Sequence, residues 1–197
     1  MSDLWIASVL VLWVVVLFGL FLLVGTLRQL GLIQMRLGTD PGALITTGGL
    51  DRGSEVPDFA APDVATGETI KWSDLRPQRR LLTVLSTGCL SCEQLVPHLN
   101  EIAHTHGDEL DFLTVCVGDA AACASFVSHT GLRQRTVVDR TGAIERSLGV
   151  TLTPFTYLVE ADGRVLIRGV ANNWTQLESL IEQQGTPEGN LVKTAIE

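Results

Sequence analysis

Cysteine is scarce in this chain, with four in 197 residues, too few for the dense disulfide framework of a small secreted scaffold. They fall as Cys89 and Cys92, three positions apart, and as Cys116 and Cys123 with six residues between them. Basic residues are scarce as well. From Asp40 onward there are 12 Lys and Arg against 21 Asp and Glu, a balance of −9. That acidity argues against a nucleic-acid partner and against an electrostatic hold on anionic lipid. No basic run, internal repeat or low-complexity tract appears beyond one N-terminal apolar run. The four tryptophans are scattered, and two lie inside that run, so they form no binding platform.

Charge is missing altogether from Leu4 to Leu27, 24 positions. As a helix this run would span roughly 36 Å, enough to cross a bilayer. A cleaved signal peptide needs a basic start and a small-residue cleavage site. Here only Ser2 and Asp3 follow the initiating Met, and LVGTLRQ offers no such site. The expectation is a retained transmembrane helix over residues 1–28, in contact with the lipid bilayer through 4–27. Residues 29–55, rich in Gly, Thr and Pro, read as a juxtamembrane linker. A compact domain is expected over 56–185, and 186–197 read as a loose tail.

Within the domain, DFAAPDV and ETIKW read as a short hairpin. RLLTVLS (80–86) is a continuous apolar run, the pattern of a strand buried on both faces. A helical stripe follows at Leu90, Leu95, Val96, Leu99, Ile102 and Ala103. Next come DFLTVCV as a strand, AAACASFVSHTG as a helix stopped at Gly131, RTVVD as a strand and GAIERSLG as a short helix. PFTYLVE and RVLIRG form a hairpin about ADG, and TQLESLIEQQ is a closing amphipathic helix. Strands alternating with helices, then a hairpin, predict an α/β fold with a mixed central sheet flanked by helices.

GCLSC places Cys89 where the buried strand ends and the helix starts. Unpaired N–H groups and the positive end of the helix dipole face it there and favour a thiolate. Cys92, one turn on, is placed to attack a mixed disulfide formed at Cys89 and release the product. A zinc site would need two more ligands, and Cys116 and Cys123 lie on a different strand and helix. The reading is a redox dithiol, with no metal and no cofactor. Cys116 alternates into the sheet and reads as a buried free cysteine; a second pair with Cys123 is the lesser reading. His98, His104 and His106 read as solvated surface histidines.

GCLSCEQLVPHLNEIA, with Pro97 five residues after the second cysteine, resembles the active-site helix of thioredoxins. GVTLTPFTYLVEADGRVLIRG resembles their segment in which a cis-proline precedes a hairpin, with Pro154 at that proline and Thr153 before it. The likeness implies a thioredoxin-like fold, in which Thr153 and Pro154 present backbone to a substrate chain beside the cysteines. A narrower likeness runs along nearly the whole chain. The uncharged span ending in LRQLGLIQMRLGTDPGAL, then VPDF, the CxxC helix and RGVANNWTQLESLIE, resembles the MauD family, membrane-anchored thioredoxin-like proteins of methylamine utilisation. That resemblance implies formation or isomerisation of disulfides in an exported disulfide-rich partner, the methylamine dehydrogenase small subunit, together with a membrane redox partner. The chain departs from the pattern in three places. Leu90 stands where the family has proline, Thr83 where thioredoxins keep a buried acid, and Gly88 where they commonly carry tryptophan. The first departure leaves the direction of electron flow open.

Three other functions fit parts of the pattern. One is a TlpA/ResA-type reductant for cytochrome c maturation. A peroxiredoxin-like peroxidase is the second; Ser86 fits it, but Leu82 occupies its proline position and it has no need of Cys92. The third is a copper-delivery module, but those resemble CxxxC with a distant His. Orientation sets two arguments against each other. Arg28 and Arg36 follow the apolar run with no Lys or Arg before it, which places the domain in the cytoplasm by the positive-inside rule. The family resemblance and the persistence of disulfides outside the cytoplasm place it on the extracytoplasmic, periplasmic side. The latter is the expectation carried forward.

Overall fold

The computed structural model describes residues 6, 10, 12–21, 48–75 and 77–182. The chain divides into two compact units, Met1–Pro41 and Gly42–Glu197. In the first, residues 12–21 are helical with exposed side chains. Among the described residues no helix is long and apolar enough to cross a membrane. The remainder of the expected span 4–27 lies outside the described residues, as do most of the linker and the tail 186–197.

The second unit follows the predicted alternation of elements. A two-stranded hairpin, β1 (Ala60–Pro62) with β2 (Thr69–Lys71), comes first. Then follow β3 (Arg80–Ser86), α1 (Leu90–His106), β4 (Asp111–Val117), α2 (Ala120–Thr130), β5 (Arg135–Asp139) and α3 (Ala143–Ser147). β6 (Phe155–Val159), β7 (Val165–Gly169) and α4 (Trp174–Glu182) close the domain. The main sheet has the order β5-β4-β3-β6-β7. β3, β4 and β5 run parallel, while β6 is antiparallel to β3 and β7 to β6. Ahead of residue 56 the chain already lies on this domain, with Gly49 N donating to Gly149 O at 2.7 Å and Gly53 N to Val165 O at 2.8 Å.

β3 is central, and its unbroken apolar run reflects burial on both faces. Leu81 and Leu85 point toward α1 and α4, where they meet Leu95, Val96, Leu99, Ile102, Leu177 and Leu180. Leu82 and Val84 point the other way, against Ile144, Leu148, Phe155 and Tyr157. Each fully buried Leu contributes about 1.5–3 kcal/mol of transfer free energy, so this strand is fixed in place from both sides. That matters for function, because the strand delivers the dithiol at its C-terminal end.

Helix boundaries follow local chemistry. The Asp119 side chain accepts from Ala122 N at 2.8 Å and starts α2, while Gly131 ends it at φ 72°, a conformation that favours glycine. The buried Asp139 accepts from Ala143 N and Glu145 N, both at 2.9 Å, and so starts α3. Tyr157 OH donates to Leu148 O at 2.7 Å and accepts from Leu50 N at 3.3 Å, tying the start of the domain and the loop after α3 to the sheet.

One expectation is corrected here. Cys116 is no free thiol, because it is bonded to Cys123 across the turn from β4 to α2, with their Cα atoms 6.0 Å apart. Side-chain alternation along β4 sets Cys116 into the core correctly. The turn through Gly118 and Asp119 then folds α2 back over that same position.

Candidate active site

Ser86 ends β3, and Thr87 and Gly88 turn the chain into α1. Gly88 has φ 79° and open space where a side chain would stand. The turn is held against the next strand, because Val117 O accepts from Thr87 N at 3.2 Å and from Thr87 Oγ1 at 3.4 Å. Cys89 is the residue that caps α1, and its sulfur accepts from Cys92 N at 3.3 Å. The Cys89 thiol is half-buried, and Cys92 behind it is fully enclosed. Both are unbonded thiols.

The second half of the site comes from far along the chain. The Thr153–Pro154 peptide bond is cis, as the thioredoxin likeness implies, and it brings the Thr153 carbonyl to the dithiol. The Cys89 Sγ–H donates to Thr153 O at 3.6 Å. The Cys92 N–H and the Thr153 carbonyl thus both meet the Cys89 sulfur. Cys89, Cys92 and Thr153 therefore form one cluster, with Pro154 buried directly behind Thr153. The contact of the Thr153 carbonyl with Cys89 was not legible in the sequence, where only the Thr-Pro pair stood out.

The two thiols differ in environment. Burial, followed by the hydrogen bond with Cys89, pushes the Cys92 thiol from 9.0 up to about 12. No carboxylate is among the groups that act on it; Glu93 is half-buried on the first turn of α1. At the position where thioredoxins carry an acid, Thr83 is fully buried, and its hydroxyl has no hydrogen-bond partner among the described residues. It stands in register with Thr156 on β6, whose hydroxyl is likewise unpartnered, and with Thr114 on β4. His98 and His106 are half-buried and His104 is exposed. Among the described residues no group of three His, Cys, Asp or Glu could hold a metal ion.

An exposed-edge thiol backed by a buried thiol can run disulfide exchange in two steps. A Cys89 thiolate attacks a substrate disulfide, forming a mixed disulfide and expelling one substrate thiolate. A Cys92 thiolate then attacks Cys89 Sγ, closing the Cys89–Cys92 bond and releasing the second substrate thiolate, so two electrons pass to the substrate. Run backwards, the same steps place a disulfide in the substrate.

Comparison with known proteins agrees with this chemistry. The Redoxin family profile matches residues 51–183. The methylamine utilization protein MauD of Paracoccus versutus is 30% identical over 182 residues, covering 92% of this chain and 89% of the relative. The thiol-disulfide oxidoreductase ResA of a Bacillus cereus strain is 28% identical over 120 residues, covering 59% of this chain and 68% of the relative. Among solved structures, a Chlorobium tepidum protein assigned as a DsbE thiol:disulfide interchange protein superposes with a TM-score of 0.62 at 26% identity. It covers 68% of this chain and 95% of that one. The fold is thioredoxin-like and the chain is a thiol–disulfide oxidoreductase. It belongs to the redoxin family and, within it, to the MauD proteins.

Proposed function

We propose that this protein is a membrane-anchored oxidoreductase that forms or isomerises disulfides in an exported partner, the methylamine dehydrogenase small subunit, on the periplasmic side of the cell membrane. Residues 4–27 serve as the anchor. Cys89 is the attacking thiol and Cys92 the resolving thiol. Thr153 and Pro154 line the place where the substrate chain lies. The observation that carries the reading is the placement of the Cys89 sulfur, reachable from outside and flanked by the Cys92 N–H and the Thr153 carbonyl, with Cys92 sealed behind it. An N–H aimed at sulfur strengthens as the sulfur gains negative charge.

The substrate follows from the extent of likeness. The MauD relatives match over about nine-tenths of the chain, more than the catalytic domain alone supplies. The ResA match covers 59%, so a ResA-type reductant is the second reading. The test is covalent trapping in cells. Cys92→Ser should accumulate a mixed disulfide with the partner, and Cys89→Ser should accumulate none. Capture by Cys89→Ser would reverse the roles. Capture by Cys92→Ser of cytochrome c maturation proteins alone would favour the second reading.

A further inference from the structure

The dithiol leaves two sulfurs unused. Cys116 near the end of β4 and Cys123 in the first turn of α2 are bonded to each other, and they are 1% and 0% exposed. Val138 of β5 packs against them, with Val64 at the margin. The bond lies beside the catalytic loop. The residue after Cys116 is Val117, whose carbonyl holds Thr87. The next is Gly118, packed so closely that a β-carbon there would come within 2.7 Å of Thr87 Oγ1.

We propose that Cys116–Cys123 is a permanent clip that takes no part in electron transfer. It closes before the domain is fully folded, and it fixes the strand–helix turn that walls the Cys89 loop. Exchange requires a thiolate to approach a sulfur in line with the S–S bond, and the folded domain offers no such approach to either sulfur. The same enclosure bars the reaction that makes the bond, so oxidation precedes the docking of α2. In that step one of the two thiolates attacks the disulfide of a donor protein, and the other displaces the donor from the mixed disulfide. The donor leaves as a dithiol, having accepted two electrons. Such donors act outside the cytoplasm, where disulfides form and persist. The compartment drawn here rests on the periplasmic reading proposed above, whereas the clip itself is independent of the substrate.

Thiol counting on the full-length protein in isolated membranes tests both parts. Membranes are acid-quenched, denatured and labelled with a polyethylene-glycol maleimide, and the labelled cysteines are mapped by peptide. Label should never reach Cys116 or Cys123 in the quenched sample. After native treatment with dithiothreitol, Cys89 and Cys92 should label and the other two should not. All four should label only when the reductant is added to unfolded protein. Release of all four under native reduction, or free Cys116 and Cys123 in the quenched membranes, would overturn the proposal. The double variant C116A/C123A should melt about 5–9 °C lower, the scale for opening a loop this short in a domain of this size. Its Cys89 should still react with Ellman's reagent. An unchanged melting temperature would remove the clip's structural role, and if the variant does not fold, the count on the unaltered chain decides. Failure of the Cys92→Ser trap would sink the substrate reading and leave this count untouched.

Discussion

With Cys92 as the proposed resolving thiol, release of substrate from Cys89 should be strongly alkaline-dependent, because burial disfavours the Cys92 thiolate. Burial comes first among the causes that push Cys92 from 9.0 to about 12, followed by its hydrogen bond with Cys89. The direction is upward, so the nucleophilic thiolate is rare at neutral pH and grows as pH rises. With the proton held to about 12, the thiolate fraction at pH 7 is on the order of one in 100,000. In the mixed disulfide Cys89 no longer carries a proton or a charge, so its contributions fall away while burial stays. The inflection in that state should therefore move below about 12 while burial still raises it. Only the thiolate attacks, so the release rate should rise about tenfold per pH unit, or about 100-fold between pH 7 and 9. The assay loads Cys89 with 5-thio-2-nitrobenzoate as a mixed disulfide and follows appearance of the coloured free thiolate by stopped flow, with Cys92→Ser as the control that retains the label. A rate that levels off at or below pH 9 would show that burial does not hold the Cys92 proton.

Two further outcomes test the site's neighbours. Replacing Thr83 with Val keeps the shape of a fully buried side chain and removes a hydroxyl with no partner among the described residues. Urea unfolding should show a gain of about 0.5–2 kcal/mol, and a loss of more than about 1 kcal/mol would mean that the hydroxyl is satisfied in solution. Equilibration of the Cys89–Cys92 couple against glutathione should place it toward the oxidising end, near about −120 mV, if it donates disulfides. A value near about −270 mV would assign the reducing role instead.

Much of the dithiol's placement was legible because it is local. A buried apolar run over 80–86, a two-residue turn and an apolar stripe from Leu90 set Cys89 at a helix start, and the structure places it as the residue that caps α1. The same held for the stop at Gly131 and the hairpin about ADG, where a few neighbouring residues settle the backbone. The fate of Cys116 was not legible. Alternation along β4 told which way its sulfur points, but its partner depends on how α2 folds back over the strand end, and spacing alone does not fix that.

Sequence by itself determined the CxxC dithiol, the order of strands and helices, the acidic domain and the uncharged N-terminal run. Each is a property of composition or of short-range periodicity. Tertiary structure alone decided what meets the dithiol. Thr153 reaches Cys89 from 64 residues away, since β6 pairs antiparallel with β3 in a register that sets Thr156 opposite Thr83. It also closed Cys116 onto Cys123 and left the buried Thr83 and Thr156 hydroxyls without a partner among the described residues. Contacts between distant segments follow from strand register and from packing on both faces of one sheet, and those are settled only when the whole core assembles.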